Sequence, residues 1–230
     1  MSPEPAWRDV LAAAARLQLL VPDAVLVGGT AAALHASHRV SFDDDHALTD
    51  LRERFDEVLT HLEEAEGWMT ARVNRPVLIL GSLDGVETGV RQLIRRLPLE
   101  VEQMPTPAGP LRAPTLAEMA RIKAWLILRR NATRDYLDFV ALAERLGAEA
   151  AVETALGLDA YYADQAGAGG RRVATQLAKQ LAEPAPYDFS EVDLSTYKRL
   201  DPRWQDWDAV VAACRDVAHR MLGHLAAETA

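Results

Sequence analysis

Between Met104 and Pro114 the chain reads MPTPAGPLRAP, with four prolines. No continuous helix can run through this stretch, because each proline lacks an amide donor and clashes with the preceding turn. Regular structure must therefore be organised on either side of it. Upstream, apolar residues come in short runs rich in Val, Ile and Leu; downstream they recur at helical spacing. The pattern predicts an α/β (α+β) fold: an α/β core over 1–114, with a small mixed sheet flanked by helices, then a mainly helical part over 115–230.

Within the first part, Trp7, Leu11, Ala14 and Leu17 predict a helix over 5–20, ended by Pro22 and followed by a strand at AVLVG. After Gly28 and Gly29, TAAALHASH has the composition of a short, closely packed helix that Thr30 is expected to cap, and VSFDDD returns as a strand. Leu51, Phe55, Val58, Leu59 and Leu62 predict an amphipathic helix over 50–66. PVLIL, GVETGVRQL and LEVEQM read as strands, with GSLDG as the turn of a hairpin.

In the second part, TLAEMARIKAWLILRR opens with Thr115 and Glu118 at capping-box spacing. Asn131 separates it from TRDYLDFVALAERL, which Gly147 ends, and QAGAGG and AEPAPYDFS read as later loops. Trp125, Trp204 and Trp207 fall where interhelical packing is expected, and Cys214 reads as a small buried hydrophobe in a C-terminal helix.

Composition narrows the function classes. A net charge of -9 argues against a generally basic surface for nucleic acid, although Arg91, Arg95, Arg96, Arg112, Arg121, Arg129 and Arg130 are concentrated in one segment. No apolar run is long enough to span a bilayer, and MSPEPAWRDV lacks the pattern of a signal peptide, so a cytoplasmic protein without a membrane partner is expected.

The chemistry concentrates in VGGTAAALHASHRVSFDDDHAL. On an extended strand Asp43 and Asp45 project to one face and Asp44 to the other. Two carboxylates on one face form a hard-oxygen site suited to Mg²⁺, or Mn²⁺, and neutralisation by a cation offsets their repulsion. A strand that ends in Gly-Gly and enters a helix brings backbone amides close to phosphate at the positive helix end. Phosphate near Gly28, Gly29 and Thr30, with metal at Asp43 and Asp45, makes a coherent nucleotide site. His35 is read as packing or polar support, with His38 and Arg39 positioning the acidic strand or substrate.

This segment resembles the first motif of the nucleotidyltransferase superfamily, a GG or GS turn followed by a strand carrying Asp-x-Asp. More narrowly, GGT, LHASHR and SFDDD resemble the AbiEii-type nucleotidyltransferase toxins, including the MenT group. The chain departs from the usual pattern in having Asp44 and His46 where hydrophobic residues are common. RIKAWLILRRNATRDYLDFVAL resembles the downstream Lys, then Arg-Asp-x-x-Asp, of the same family, and the two matches cover roughly residues 20 to 145.

The resemblance implies an enzyme that transfers NMP from an NTP to an acceptor hydroxyl and releases pyrophosphate, with the helical part completing the active-site cleft. Its implied catalytic residues are Asp43, Asp45, Lys123, and Asp135 or Asp138; the nucleotide would meet Gly28, Gly29, Thr30, Ser41 and Lys123. Glu87 and Asp84 are the alternatives for a third carboxylate. The family's toxins imply a tRNA 3′ end as acceptor and a cognate antitoxin protein as partner; for such an acceptor the local positive charge makes Arg39, Arg91, Arg95, Arg96, Arg130 and Arg134 the expected binding residues. Read as charges alone, Arg134 and Asp138 can pair across one helical turn, and Lys123 can be an exposed helix lysine. Other functions compatible with the residues are transfer to a protein or small molecule, an inactive binding module of the same fold, and a phosphohydrolase.

Overall fold

The computed structural model describes residues 6–165 and 172–227; most of the QAGAGG loop lies outside them. The chain forms two compact units. The first comprises residues 1–34, 40–94 and 98–115, the second 35–39, 95–97 and 116–230.

The first unit holds α1 (Trp7–Leu20), β1 (Val25–Val27), the start of α2 (Gly28–Ala36), β2 (Asp43–Leu48), α3 (Phe55–Glu64), β3 (Trp68–Asn74), β4 (Leu78–Leu83), β5 (Val86–Gln92), β6 (Val101–Met104) and β7 (Leu111–Pro114). Its main sheet has the order β1-β2-β5-β4-β3; β2 and β5 are parallel and the other neighbours antiparallel. The sheet is therefore mixed, as the sequence predicts. Leu17 of α1, Phe55, Val58 and Leu62 of α3, and Leu48, Ile79, Leu83 and Val90 of the strands form its apolar core.

Several local expectations change. The hairpin turn is only Asp84 and Gly85, both at positive φ, and the GSL before it belongs to β4. Inside the proline-rich break, Leu111–Pro114 forms β7, paired with β6 in a separate two-stranded sheet. Proline is tolerated there because each strand of a two-stranded sheet is an edge strand. The helix expected from residue 50 begins at Phe55, leaving Leu51 buried in a turn.

The second unit contains α4 (Leu116–Arg130), α5 (Thr133–Leu146), α6 (Ala148–Leu156), α7 (Leu158–Tyr162), α8 (Val173–Ala182) and α9 (Trp207–Ala227). Ile127, Tyr136, Phe139, Val140, Leu177, Trp204 and Cys214 share one buried cluster. Asn131, at φ 45, makes the break between α4 and α5. Its side-chain amide donates to Ala185 O at 2.7 Å, and its side-chain oxygen accepts from Tyr136 at 2.6 Å and Gln180 at 2.9 Å. Its own carbonyl accepts the Tyr187 amide at 3.0 Å. Ala132 has no side chain with which to cap α5, and Asp188 serves instead, accepting from Thr133 N and Oγ1 at 2.8 and 2.7 Å. Gly147, at φ 84, ends α5.

Candidate functional site

Gly28, at φ 75, turns the chain from β1 directly into α2, so both glycines fall inside the first helical turn. Thr30 is consequently an interior helical residue rather than the cap. It is fully buried, and its hydroxyl donates to Asp43 O at 2.6 Å, tying α2 to the first residue of β2. Ser41 Oγ donates to Asp43 Oδ1. Two of the residues expected at the nucleotide thus orient Asp43, one through its backbone and one through its carboxylate.

Along β2 the side chains alternate. Asp43 and Asp45 are half-buried, whereas Asp44 and His46 are completely enclosed on the opposite face. Asp44 Oδ1 lies 3.1 Å from His46 Nδ1, off the line of a hydrogen bond. Burial pushes the Asp44 carboxyl up against the lowering influence of His46. The side chains that depart from the family pattern therefore form a buried polar pair behind the strand.

The space around Asp45 is kept clear by two glycines. A Cβ at Gly28 would lie 3.3 Å from Asp45 Cβ and 3.4 Å from Oδ2; one at Gly89 would lie 2.7 Å from Oδ1. Gly89 is the ladder partner of Asp45 on β5 and is absent from the sequence-based site. Its signal was available, since a glycine inside a strand-like run marks a close approach. Glu87 is the ladder partner of Asp43 and is exposed, whereas Asp84 accepts from Arg16 in the hairpin turn. Arg91 lies 3.0 Å from Asp45 Oδ1.

Two half-buried carboxylates on one face match Mg²⁺ or Mn²⁺, which binds through one or two carboxylates and completes its shell with waters and substrate phosphates. Among the described residues no group of three or more His, Cys, Asp or Glu is gathered to hold a metal alone.

In the second unit, Asp138 is fully buried at the centre of a charge cluster. His38 Nε2 and Arg39 Nε each lie 2.7 Å from its Oδ1, and Arg39 Nη2 at 3.0 Å and Lys123 Nζ at 2.7 Å from its Oδ2. Burial alone would raise this carboxyl; Arg39 and Lys123, with the bonds from His38 and Arg39, overcome it and hold Asp138 well below the usual carboxylate range. Asp135, also fully buried, accepts from Arg130 at 2.6 and 2.8 Å and lies 3.8 Å from Lys123 Nζ.

Two readings of these residues as surface charges are corrected: Lys123 is only 1% exposed, and Asp138 pairs with Arg39, Lys123 and His38 instead of Arg134, which is exposed. Helical spacing alone does not reveal which side of α4 and α5 is covered.

The arginine segment divides by burial. Arg95 and Arg121 both pair with buried Glu118 and lie over the Tyr161 ring, while Arg96 is 88% exposed and 3.7 Å from Asp164. Trp125 stacks on Tyr162 with ring centroids 4.4 Å apart, and Trp204 is buried, so both tryptophans pack within the helical unit.

No protein-family model matches the chain. Over 129 residues it is 38% identical to the heme uptake protein MmpL11 of Mycobacterium tuberculosis; the match covers 56% of this chain and 13% of that protein. Among the described residues no helix is long and apolar enough to cross a membrane. In structure the chain is similar to JHP933 from Helicobacter pylori, with a TM-score of 0.54 at 13% identity over 96% of this chain and 93% of that one. Another H. pylori structure, of a protein provisionally assigned as a nucleotidyltransferase, gives a TM-score of 0.56 at 14% identity, with 95% and 94% covered. The antibiotic-resistance factor ANT(2″)-Ia, solved in complex with adenylyl-2″-tobramycin, gives 0.51 at 12% identity, with 69% and 98% covered. With the glycine turn set against a carboxylate of an alternating pair, these likenesses lead to one conclusion: the chain has a nucleotidyltransferase-like fold.

Proposed function

We propose that the protein is a metal-dependent nucleotidyltransferase that moves NMP from an NTP to an acceptor hydroxyl. The observation that carries this reading is the contact geometry of Gly28 and Asp45: the left-handed glycine that opens α2 lies against the carboxylate. Phosphate bound at the α2 amides would then lie beside the acidic pair.

In this mechanism Gly28 and Gly29 admit the phosphates close to the backbone, and Thr30 and Ser41 hold Asp43 in place. Asp43 and Asp45 would hold Mg²⁺ or Mn²⁺, which when bound neutralises charge at the reacting phosphate and activates the acceptor oxygen. The acceptor oxygen forms a bond to the α-phosphorus as the bond to pyrophosphate breaks. Glu87, exposed on the same face, is the carboxylate assigned to take the hydroxyl proton. Lys123 is assigned to the triphosphate; its ammonium is 2.7 Å from Asp138, so this role requires an exchange of partners. Asp138 and Asp135 hold α4 and α5 together through their cations.

The acceptor proposed is the 3′ end of tRNA, which would make the protein a translation-blocking toxin kept in check by an antitoxin protein. The resemblance of GGT, LHASHR and SFDDD to the toxin family supports this choice. A second acceptor class, a small-molecule hydroxyl, is favoured by the likeness to ANT(2″)-Ia, whose complex contains an adenylylated aminoglycoside. The test is to incubate the protein with Mg²⁺, each of the four α-labelled NTPs, and either total tRNA or an aminoglycoside panel. Label in tRNA with wild type but not with Asp45→Asn supports the tRNA reading; label in the aminoglycosides alone moves the acceptor to the second class. No Asp45-dependent label in either would reject both acceptor assignments.

A further inference from the structure

Asp45 has an internal cation. Arg91 donates from Nε to Asp45 Oδ1 at 3.0 Å, and its Nη2 is also 3.0 Å from that oxygen. The strand register explains the reach. Asp45 faces Gly89 across the parallel ladder and Arg91 is opposite Ala47, so the guanidinium crosses diagonally to the carboxylate. A side chain at position 89 would crowd this approach, since even a Cβ there would lie 2.7 Å from Asp45 Oδ1.

The pair is not a sealed structural bond. The Arg91 and Asp45 side chains are 47% and 23% exposed, whereas those of Arg39 and Asp138 are 7% and 0% exposed. A solvated ion pair of this kind is worth at most about 1 kcal/mol and exchanges readily when another partner is offered. Guanidinium is also well matched to phosphate, which it can grip through two parallel N–H groups.

We infer that Arg91 is an exchangeable counter-ion of the carboxylate pair, linking cation binding to nucleotide binding. This rests on the reading of Asp43 and Asp45 as the cation site. A bare metal ion must displace Arg91 from Asp45 and leave the guanidinium without an anion beside a new positive charge. A metal ion arriving with a triphosphate brings the replacement anion, and Arg91 passes from carboxylate to phosphate as the metal takes the carboxylate. Linkage makes the coupling reciprocal, so the metal favours the nucleotide by the same factor as the nucleotide favours the metal. The site would thereby select the metal–nucleotide complex over either component.

The test uses the full chain and calorimetric titration with two probes, Mn²⁺ alone and preformed Mn²⁺–tripolyphosphate, which needs no knowledge of the base. Wild type should prefer the complex. Arg91→Gln should bind bare Mn²⁺ tighter than wild type by up to about five-fold, the most that loss of a solvated ion pair gives, and bind the complex more weakly. Arg91→Lys should lie nearer wild type on both probes. If Arg91→Gln weakens the complex while bare Mn²⁺ affinity is unchanged, Arg91 is a phosphate ligand only and the exchange is overturned. If Arg91→Gln behaves as wild type on both probes while Asp45→Asn loses Mn²⁺, the inference fails and the cation site stands. If Asp45→Asn, folded by circular dichroism, binds Mn²⁺ as wild type does, the cation-site reading itself fails and takes the inference with it.

Discussion

Two pairs of aspartates, Asp43 with Asp45 and Asp135 with Asp138, are built from the same residue but placed under opposite physical conditions. The strand pair is half-buried, with one carboxylate held by Ser41 and the other touched by a solvated arginine. The helix pair is fully buried, and its oxygens are taken by Arg39, Lys123, His38 and Arg130. An acid that must accept an incoming ligand needs weak or exchangeable partners. An acid that holds a fold needs strong permanent ones, because a buried charge without compensation is costly.

The sharpest way to break this contrast is Asp138→Asn. It removes the carboxylate that buried Arg39 and Lys123 share and should cost about 3–5 kcal/mol, read as a shift of the urea midpoint. Acid should reproduce part of that loss in wild type. Asp138 titrates below its unfolded value of about 3.9, so its stabilisation is complete above that pH and is lost as pH falls towards the folded value. Denaturation followed between pH 5 and pH 2 should show a steep acid limb that Asp138→Asn flattens. A limb of equal steepness in both proteins would mean that Asp138 does not carry the acid sensitivity.

Gly89→Ala should have an intermediate effect, because the new Cβ meets Asp45 Oδ1 at 2.7 Å and Leu80 Cδ2 at 2.9 Å. Forcing those side chains aside should cost about 1–3 kcal/mol, with loss of transfer through displacement of Asp45. Unaltered stability and transfer would show that this crowding relaxes freely. The smallest stability change belongs to Asp45→Asn, within about 1 kcal/mol for a solvated ion pair, combined with a fall in transfer rate of at least about a hundred-fold. If this variant instead melts as early as Asp138→Asn, the division between ligand-accepting and structural aspartates collapses.

The elements that were legible in the sequence are those whose periodicity is one-sided. Leu11, Ala14 and Leu17 announced α1, and the two-residue period of the acidic run separated Asp43 and Asp45 from Asp44. β3 was missed because WMTARVN is the edge strand and exposed at every position but Trp68, so burial imposes no alternation on it. β7 was hidden by Pro114 at its end and the three prolines before it. The charge cluster was illegible for another reason: Arg39 and Asp138 are 99 residues apart, and only tertiary packing reveals that Asp138 points inward. Asp44 and His46 lie on the face of β2 that carries Leu48, which shares a buried cluster with Leu17 of α1, a tertiary contact that no local pattern encodes.

Asn131 has a practical consequence for anyone trimming the gene. Its left-handed turn is tied to Gln180, Ala185 and Tyr187, and the next helix starts on a cap supplied by Asp188. The α4–α5 corner is thus spliced to a segment more than fifty residues downstream in the chain. A truncation that stops before Ala185 would strip that corner of its bonds to Ala185, Tyr187 and Asp188, so shortened versions meant to isolate the two motifs should extend past Asp188.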